Sequence, residues 1–279
     1  MEIEELLKEG KLKLIKNNVE DANIIARSLL QFTLNMSRNE IISKLNELVD
    51  SSIQEKYEKA IQKIIKGTPL QYITNKQEFM KLPFYVDENV LIPQPDTEIL
   101  VEEVLKIANK KDQMEILDMC TGSGCIGISI AYYLKNTKVT MSDISKKAIE
   151  IAKQNAKTNK VEKITEFIES DMFENIKNKF NIIVSNPPYI ETNVISTLSK
   201  QVQKEPILAL DGGEDGLYFY RNIIKEAPKY LKDSGYLCLE IGYNQREKVI
   251  EIIKETGAFS KIEAKKDLAG NDRIIICQK

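Results

Sequence analysis

Apolar residues recur at helical spacing through the first 72 positions. Leu6, Leu7, Leu14 and Ile15 mark one amphipathic stretch, and Ile24, Ile25, Leu29 and Leu30 mark a second, with Asp21 near its start. Ser37 followed by Glu40 reads as a capping box, in which each side chain satisfies the other residue's backbone N–H. It opens a third stretch carrying Ile41, Ile42, Leu45, Leu48 and Val49. A fourth carries Ile53, Tyr57, Ile61, Ile64 and Ile65 and stops before Gly67-Thr68-Pro69. The pattern predicts a small helical bundle over residues 1–72.

The spacing then changes. Glu78-Phe79-Met80 and Pro83-Phe84-Tyr85-Val86 predict two short strands around Lys81-Leu82, a hairpin-like linker over residues 73–95. Pro93 and Pro95 hold the next loop extended, and Asp96 or Thr97 is expected to cap a helix over 99–108. From about residue 112, strand patterns at 115–118, 139–142, 165–169, 182–185 and 236–241 alternate with helical patterns at 126–134, 146–157, 217–230 and 245–255. That alternation predicts an α/β domain over 96–279 with a parallel, doubly wound sheet. Residues 259–265 and 273–278, joined through Gly270-Asn271, predict an antiparallel hairpin at its edge.

Composition narrows the chemistry. The 279 residues carry a formal net charge of −2 and no histidine. Imidazole bases, histidine metal sites and Ser-His-Asp triads are therefore excluded, and no metal site is expected. The charge balance gives no support for a bulk polyanion partner. Through residue 75, eleven basic residues face eleven acidic ones, so the bundle reads equally as a structural cap or a partner-recognition module. No segment reaches the roughly 18 consecutive apolar residues of a membrane span. The acidic Met1-Glu2-Ile3-Glu4-Glu5 start is unlike a secretory signal, so a cytoplasmic, monomeric protein is expected. Cys120, Cys125, Cys238 and Cys277 lie in apolar contexts and read as buried thiols.

Asn186-Pro187-Pro188-Tyr189 follows the apolar run Ile182-Ile183-Val184-Ser185. It thus sits at the carboxyl end of a buried strand, where open α/β sheets place their ligands. Asn186 offers an acceptor and a donor, the two prolines stiffen the backbone, and Tyr189 adds a flat face. Together they suit a clamp for a planar NH2-bearing group.

A second cluster surrounds the first predicted parallel strand, which ends at Asp118 and runs into Cys120-Thr121-Gly122-Ser123-Gly124. Small residues let a ligand approach the backbone, and Asp143, at the end of the next strand, is placed to accept the ribose hydroxyls of an adenosine. Gly122, Gly124 and Gly127 formally match a dinucleotide fingerprint, so NAD and S-adenosylmethionine compete. Asp118 favours S-adenosylmethionine, because an anion attracts the methionine ammonium and repels a pyrophosphate. Asp171 is a candidate partner for the adenine amino group, with Met172 and Phe173 packing on the ring; the alternative is a helix cap followed by core residues.

The chain resembles the peptide chain release factor glutamine methyltransferases, the HemK/PrmC family. The likeness runs through residues 67–74, Glu78-Phe79, residues 91–98, Asp118 to Gly124, Asn186 to Ile190, Glu205-Pro206 and Gly270 to Arg273. It implies a Class I S-adenosylmethionine-dependent methyltransferase: a Rossmann-like, mostly parallel seven-stranded sheet with a C-terminal antiparallel hairpin, behind an N-terminal helical domain that helps hold the release factor. The implied substrate is the glutamine of the factor's Gly-Gly-Gln loop, methylated on its amide nitrogen. Cys120, Thr121, Gly122, Ser123, Gly124, Asp143, Met172 and Asn186 would contact the cofactor. Asn186, Pro187, Pro188 and Tyr189 would hold the glutamine. Asn186 Oδ1 and the Pro187 carbonyl would accept the two amide hydrogens, with Tyr189 on the amide plane and no general base.

Three positions depart from the family pattern: Cys120 stands for a glycine, Gln94 for an arginine and Met172 for an aromatic residue. Two rival functions remain, a methyltransferase acting on exocyclic amines of DNA or rRNA, and a binding protein with a degenerate cofactor site. The first usually brings a basic recognition region, which the balanced bundle does not supply.

Overall fold

The computed structural model describes residues 1–108 and 113–279, which form two compact units. Residues 1–75 together with 199–204 make the first, and residues 76–198 together with 205–279 make the second. The hairpin expected as a linker thus belongs to the second unit.

The first unit contains helices α1 (Ile3–Lys16), α2 (Ala22–Leu34), α3 (Arg38–Ser43), α4 (Ser51–Ile65) and α5 (Leu70–Thr74). Their apolar stripes meet in one core around Leu14, Leu29, Leu30, Tyr57 and Ile61. The Tyr57 hydroxyl, buried there, donates to the Ala26 carbonyl at 3.1 Å, which satisfies it without water. The Ser37–Glu40 capping box forms, with the Ser37 N–H donating to Glu40 Oε2 at 2.7 Å and the Glu40 N–H to Ser37 Oγ at 3.3 Å. The helix it opens is shorter than its apolar pattern predicts. Carbonyls of Leu45 and Glu47 instead accept from the Glu4 and Ile3 N–H groups, satisfying first-turn donors of α1.

The second unit opens with strands β1 (Gln77–Phe79) and β2 (Leu82–Phe84), an antiparallel hairpin turning through Met80 and Lys81, both at positive φ. Then follow α6 (Pro95–Ile107), β3 (Met114–Met119), α7 (Cys125–Tyr133), β4 (Thr137–Asp143), α8 (Lys146–Thr158), β5 (Thr165–Glu169) and β6 (Phe180–Ser185). Short helices α9 (Thr192–Ile195) and α10 (Ile207–Leu210) precede α11 (Tyr218–Tyr230), β7 (Leu231–Glu240), α12 (Arg246–Thr256), β8 (Lys261–Lys266) and β9 (Asp272–Gln278). Helix α6 starts four residues earlier than expected. Pro95 occupies its first position, where a missing N–H costs nothing, so Asp96 and Thr97 lie inside the first turn instead of capping it.

The strands form a seven-stranded sheet in the order β5-β4-β3-β6-β7-β9-β8, in which β9 runs antiparallel to β7 and β8 and the other pairs are parallel. Period-2 alternation sends side chains to two cores. Ile116, Ile182, Val184, Cys238 and Ile274 face α6 and α7, while Leu117, Ile183, Leu237, Leu239 and Ile275 face α11 and α12. Strand order reverses between β3 and β6. The crevice beyond their carboxyl ends is where such sheets bind ligands.

Candidate active site

A cavity of about 470 Å³ opens at that crevice. Its floor comes from the carboxyl ends of four parallel strands: Met119, Cys120 and Gly122 at the end of β3, Asp143 to Ser145 at that of β4, Ser170 to Met172 after β5, and Asn186 and Pro188 after β6. Residues 88–91 close one side. Pro206, Leu208, Ala209, Tyr218 and Phe219 close another.

The loop after β3 is held from beneath. Asp118 is fully buried, and its Oδ2 accepts from Thr121 Oγ1 and, at 2.9 Å, from the Gly127 N–H. Its Oδ1 has no hydrogen-bond partner among the described residues. Burial pushes its pKa up to about 7, opposed by those two hydrogen bonds. Asp118 therefore does not line the cavity. From there its Oδ2 shapes the loop from behind. Thr121, Ser123 and Gly124 are likewise off the cavity wall, and Thr121 and Ser123 are buried. Gly124 sits at φ +82°, and a Cβ there would lie 2.7 Å from Ile128 Cδ1, so the turn requires glycine. Cys120 adopts φ +59°, a left-handed conformation that glycine enters more readily than cysteine.

Asp143 faces the cavity while anchoring both neighbouring turns. Its Oδ2 accepts from the Gly122 N–H at 2.9 Å and its Oδ1 from the Ser145 N–H at 2.8 Å. Burial raises its pKa and these backbone donors oppose the rise. Each oxygen keeps a lone pair for a ligand hydroxyl. Asp171 and Met172 reach the wall, Asp171 from an exposed position. Phe173 does not. It is buried and stacked on Tyr230, with ring centroids 4.5 Å apart, so the expectation that it packs on a ligand ring is corrected.

Among the clamp residues, Asn186 and Pro188 line the cavity. Asn186 Nδ2 donates to Thr97 Oγ1 at 3.3 Å, and its Oδ1 is the untied end among the described residues. Pro187 is buried. Tyr189 does not line this cavity. Its ring packs against the core on the α11 and α12 side, and its hydroxyl donates to Glu240 Oε1 at 3.4 Å. Burial and the Glu240 charge push the Tyr189 pKa up, so the phenol keeps its proton.

Two positioning residues were given no role in the sequence reading. Asn155, fully buried on α8, accepts from the Tyr85 N–H at 2.7 Å and donates to the Tyr85 and Ser123 carbonyls, both at 2.9 Å. It thereby ties the post-hairpin segment to the glycine loop. Glu205 Oε2 accepts from the Ile92 N–H at 2.9 Å, joining the chain next to both cavity walls. Thr97, expected to cap a helix, instead accepts from Asn186 Nδ2. The one local signal was a lone asparagine on the apolar face of α8.

The family model for the methyltransferase small domain matches residues 94–208, and that for the PrmC N-terminal domain matches residues 5–74. A release factor glutamine methyltransferase of Clostridium botulinum is 41% identical, with all of both chains covered. Another of Fusobacterium nucleatum is 40% identical, covering 99% of this chain and 77% of the relative. Among solved structures, a Thermus thermophilus 16S rRNA N2 G1207 methyltransferase in complex with AdoMet and guanosine superposes with a TM-score of 0.52. It is 15% identical, covering 73% of this chain and 49% of that one, and so shares the fold.

Proposed function

The chain belongs to the release factor glutamine methyltransferase family, and we propose that Asn186 and the Pro187 carbonyl grip the substrate amide beside the methyl donor. The protein is an S-adenosylmethionine-dependent protein-(glutamine-N5) methyltransferase. It methylates the side-chain amide nitrogen of the glutamine in the Gly-Gly-Gln loop of peptide chain release factors. With such a substrate we take it to act in the cytoplasm, as a monomer.

The cavity fits the donor. Asp143 presents a carboxylate with spare lone pairs, and nothing lies within 4 Å of where a Gly122 Cβ would stand, so the loop leaves room for a ligand. Asp143 would take the ribose hydroxyls, Met172 and Asp171 the base, and the backbone at Cys120 and Gly122 the remainder. When bound, S-adenosylmethionine supplies an electrophilic methyl group on a sulfonium.

The chain's own contribution is orientation and charge. An amide nitrogen is a weak nucleophile because its lone pair is delocalised. Oxygen acceptors on both N–H bonds aim that lone pair and stabilise the positive charge that develops on nitrogen. Asn186 Oδ1 and the Pro187 carbonyl are those acceptors. The released proton passes to water, in keeping with a chain that has no histidine.

The observation that carries this reading is the Asn186 side chain on the cavity wall, tied by its Nδ2 to Thr97. The test is mass spectrometry of a release factor incubated with enzyme and donor. The Gly-Gly-Gln peptide is expected to gain one methyl on glutamine, and a nucleic-acid arm to gain none. Methylated nucleic acid with an unmodified factor would reverse the assignment.

A further inference from the structure

Pro187 and Pro188 have no backbone N–H, so the middle of the clamp has no donor by which to be tied in place. Each ring fixes its own φ and restricts the residue before it, which makes Asn186 to Tyr189 a stiff rod. Strand β6 holds one end of that rod. The aim of the Pro187 carbonyl then depends on what holds the other end. We propose that Gln245 is a positioning residue that holds this far end through the Tyr189 carbonyl, and so sets the place of the Pro187 carbonyl beside the methyl donor. The inference rests on the amide-clamp reading above.

Gln245 is 7% exposed and stands at the N-cap of α12, a position where Ser, Thr, Asp or Asn is preferred. Its side chain makes no capping hydrogen bond among the described residues and turns toward the clamp instead. Nε2 donates to the Tyr189 carbonyl at 2.9 Å and to the Gly216 carbonyl at 3.2 Å. Oε1 accepts from the Gly242 N–H at 2.9 Å. A backbone N–H only donates and a carbonyl only accepts, so these three partners leave the amide a single orientation. Gln245 lies off the cavity wall and therefore acts through the clamp.

The loop between α10 and α11 closes on the back of the same rod. The Ile190 N–H donates to the Leu210 carbonyl at 3.0 Å, and the Gly212 N–H donates to the Ile190 carbonyl at 2.8 Å. A Cβ on Gly212 would stand 2.7 Å from Tyr189 Cα and 2.9 Å from the Pro188 carbonyl oxygen. One on Gly216, at φ +70°, would stand 2.5 Å from the Tyr189 carbonyl oxygen and 2.7 Å from Gln245 Nε2. Neither place has room for a side chain, so loop backbone lies directly against clamp backbone. Gln245 ties the two together, since one Nε2 serves a carbonyl from each. The same loop follows Ala209 and runs into Tyr218, both on the cavity wall.

The alternative is that Gln245 only stabilises the fold. Gln245→Glu keeps the side-chain length and an acceptor for the Gly242 N–H but loses both donors, whereas Gln245→Met keeps the length and loses every hydrogen bond. With full-length enzyme, saturating S-adenosylmethionine and release factor, at a pH of roughly 8.5 where the introduced carboxyl is ionised, both variants are expected to lower kcat about tenfold or more, because a displaced acceptor costs orientation in the transition state. The KM for release factor and the calorimetric affinity for S-adenosylmethionine should stay within about threefold of wild type. Calorimetric stoichiometry counts donor-competent sites, so kcat is expressed per folded molecule. A wild-type kcat per site in either variant overturns the proposal, as does a matching loss of donor affinity, the mark of a structural role. A second readout needs no turnover. In hydrogen exchange followed by mass spectrometry, residues 186–192 should exchange about tenfold faster in both variants than in wild type, with residues 261–278 unchanged. Equal exchange in 186–192, or faster exchange in both segments, overturns the proposal. If residues 186–192 behave as expected yet wild type leaves the release factor unmodified, the proposed function fails and the hold of Gln245 on the clamp stands.

Discussion

At the scale of single residues, the site separates groups that touch ligand from groups that hold those groups in place. Asn186 belongs to the first kind. Asn186→Ala removes the Oδ1 acceptor and is expected to lower kcat at least about a thousandfold, while the donor's dissociation constant rises by less than about tenfold. Single-turnover kinetics beside calorimetry measures both, and wild-type turnover in the variant would discredit the clamp. Gly127 belongs to the second kind. A Cβ there would stand 2.8 Å from Asp118 Oδ2 and 2.7 Å from Met141 Cγ. Gly127→Ala must displace the carboxylate that holds Thr121, so a loss of roughly 2–3 kcal/mol in stability is expected from overpacking and a broken buried hydrogen bond. Donor affinity should weaken with it. Urea unfolding and calorimetry check the pair, and a variant stable as wild type would show that the loop does not depend on Asp118.

At the scale of elements, the chain joins a strand-end site to a preceding hairpin through one side chain. Asn155 projects from the apolar side of α8 and makes three hydrogen bonds to backbone 32 and 70 residues away in sequence. Asn155→Ala would leave the half-buried Tyr85 N–H and carbonyl and the buried Ser123 carbonyl without their partner. The expected cost is about 2–4 kcal/mol, visible as a lower urea midpoint with unchanged slope. The Ser123 loop should also slacken and donor binding weaken. An unchanged midpoint would mean that water replaces the asparagine. Element boundaries that strayed from the sequence pattern have similar causes. α3 stops at Ser43 because carbonyls of Leu45 and Glu47 serve the start of α1, and α6 starts at Pro95 because a proline is free at a first helical position.

At the scale of the whole molecule, buried carboxyl groups set the pH response. Asp118, Glu205 and Glu240 each have a pKa pushed up to about 7, chiefly by burial. A folded-state pKa above the unfolded one means stability that is full at low pH and lost as pH rises through the folded value. The carboxyls lowered by surface partners, such as Glu58 and Asp215, act oppositely, but only below the ordinary carboxylate range. Between about pH 4.5 and pH 7 the buried three therefore decide. The cofactor-free protein is expected to melt at a higher temperature near pH 5.5 than near pH 7.5, by scanning calorimetry. Glu205→Gln, which keeps an acceptor for the Ile92 N–H, should narrow the difference. A melting temperature that rises across this range would contradict the buried-charge account.

The sequence by itself determined the order of elements, the parallel sheet with its antiparallel end, and which residues stand at the carboxyl ends of the strands. Periodicity and Gly/Pro punctuation are local properties and need no partner to be read. Asn186 and Asp143 were legible for that reason. Only the tertiary structure decided which of the neighbouring polar and aromatic groups face the cavity and which turn inward. Asp118 went beneath its loop, Phe173 onto Tyr230, Tyr189 toward Glu240, and Thr97 toward Asn186 instead of a helix end. Tyr189 and Glu240 lie 51 residues apart, and Thr97 and Asn186 lie 89 apart. A side chain's direction is chosen by the hydrogen-bond partner that folding brings to it, and no local pattern carries that partner's identity.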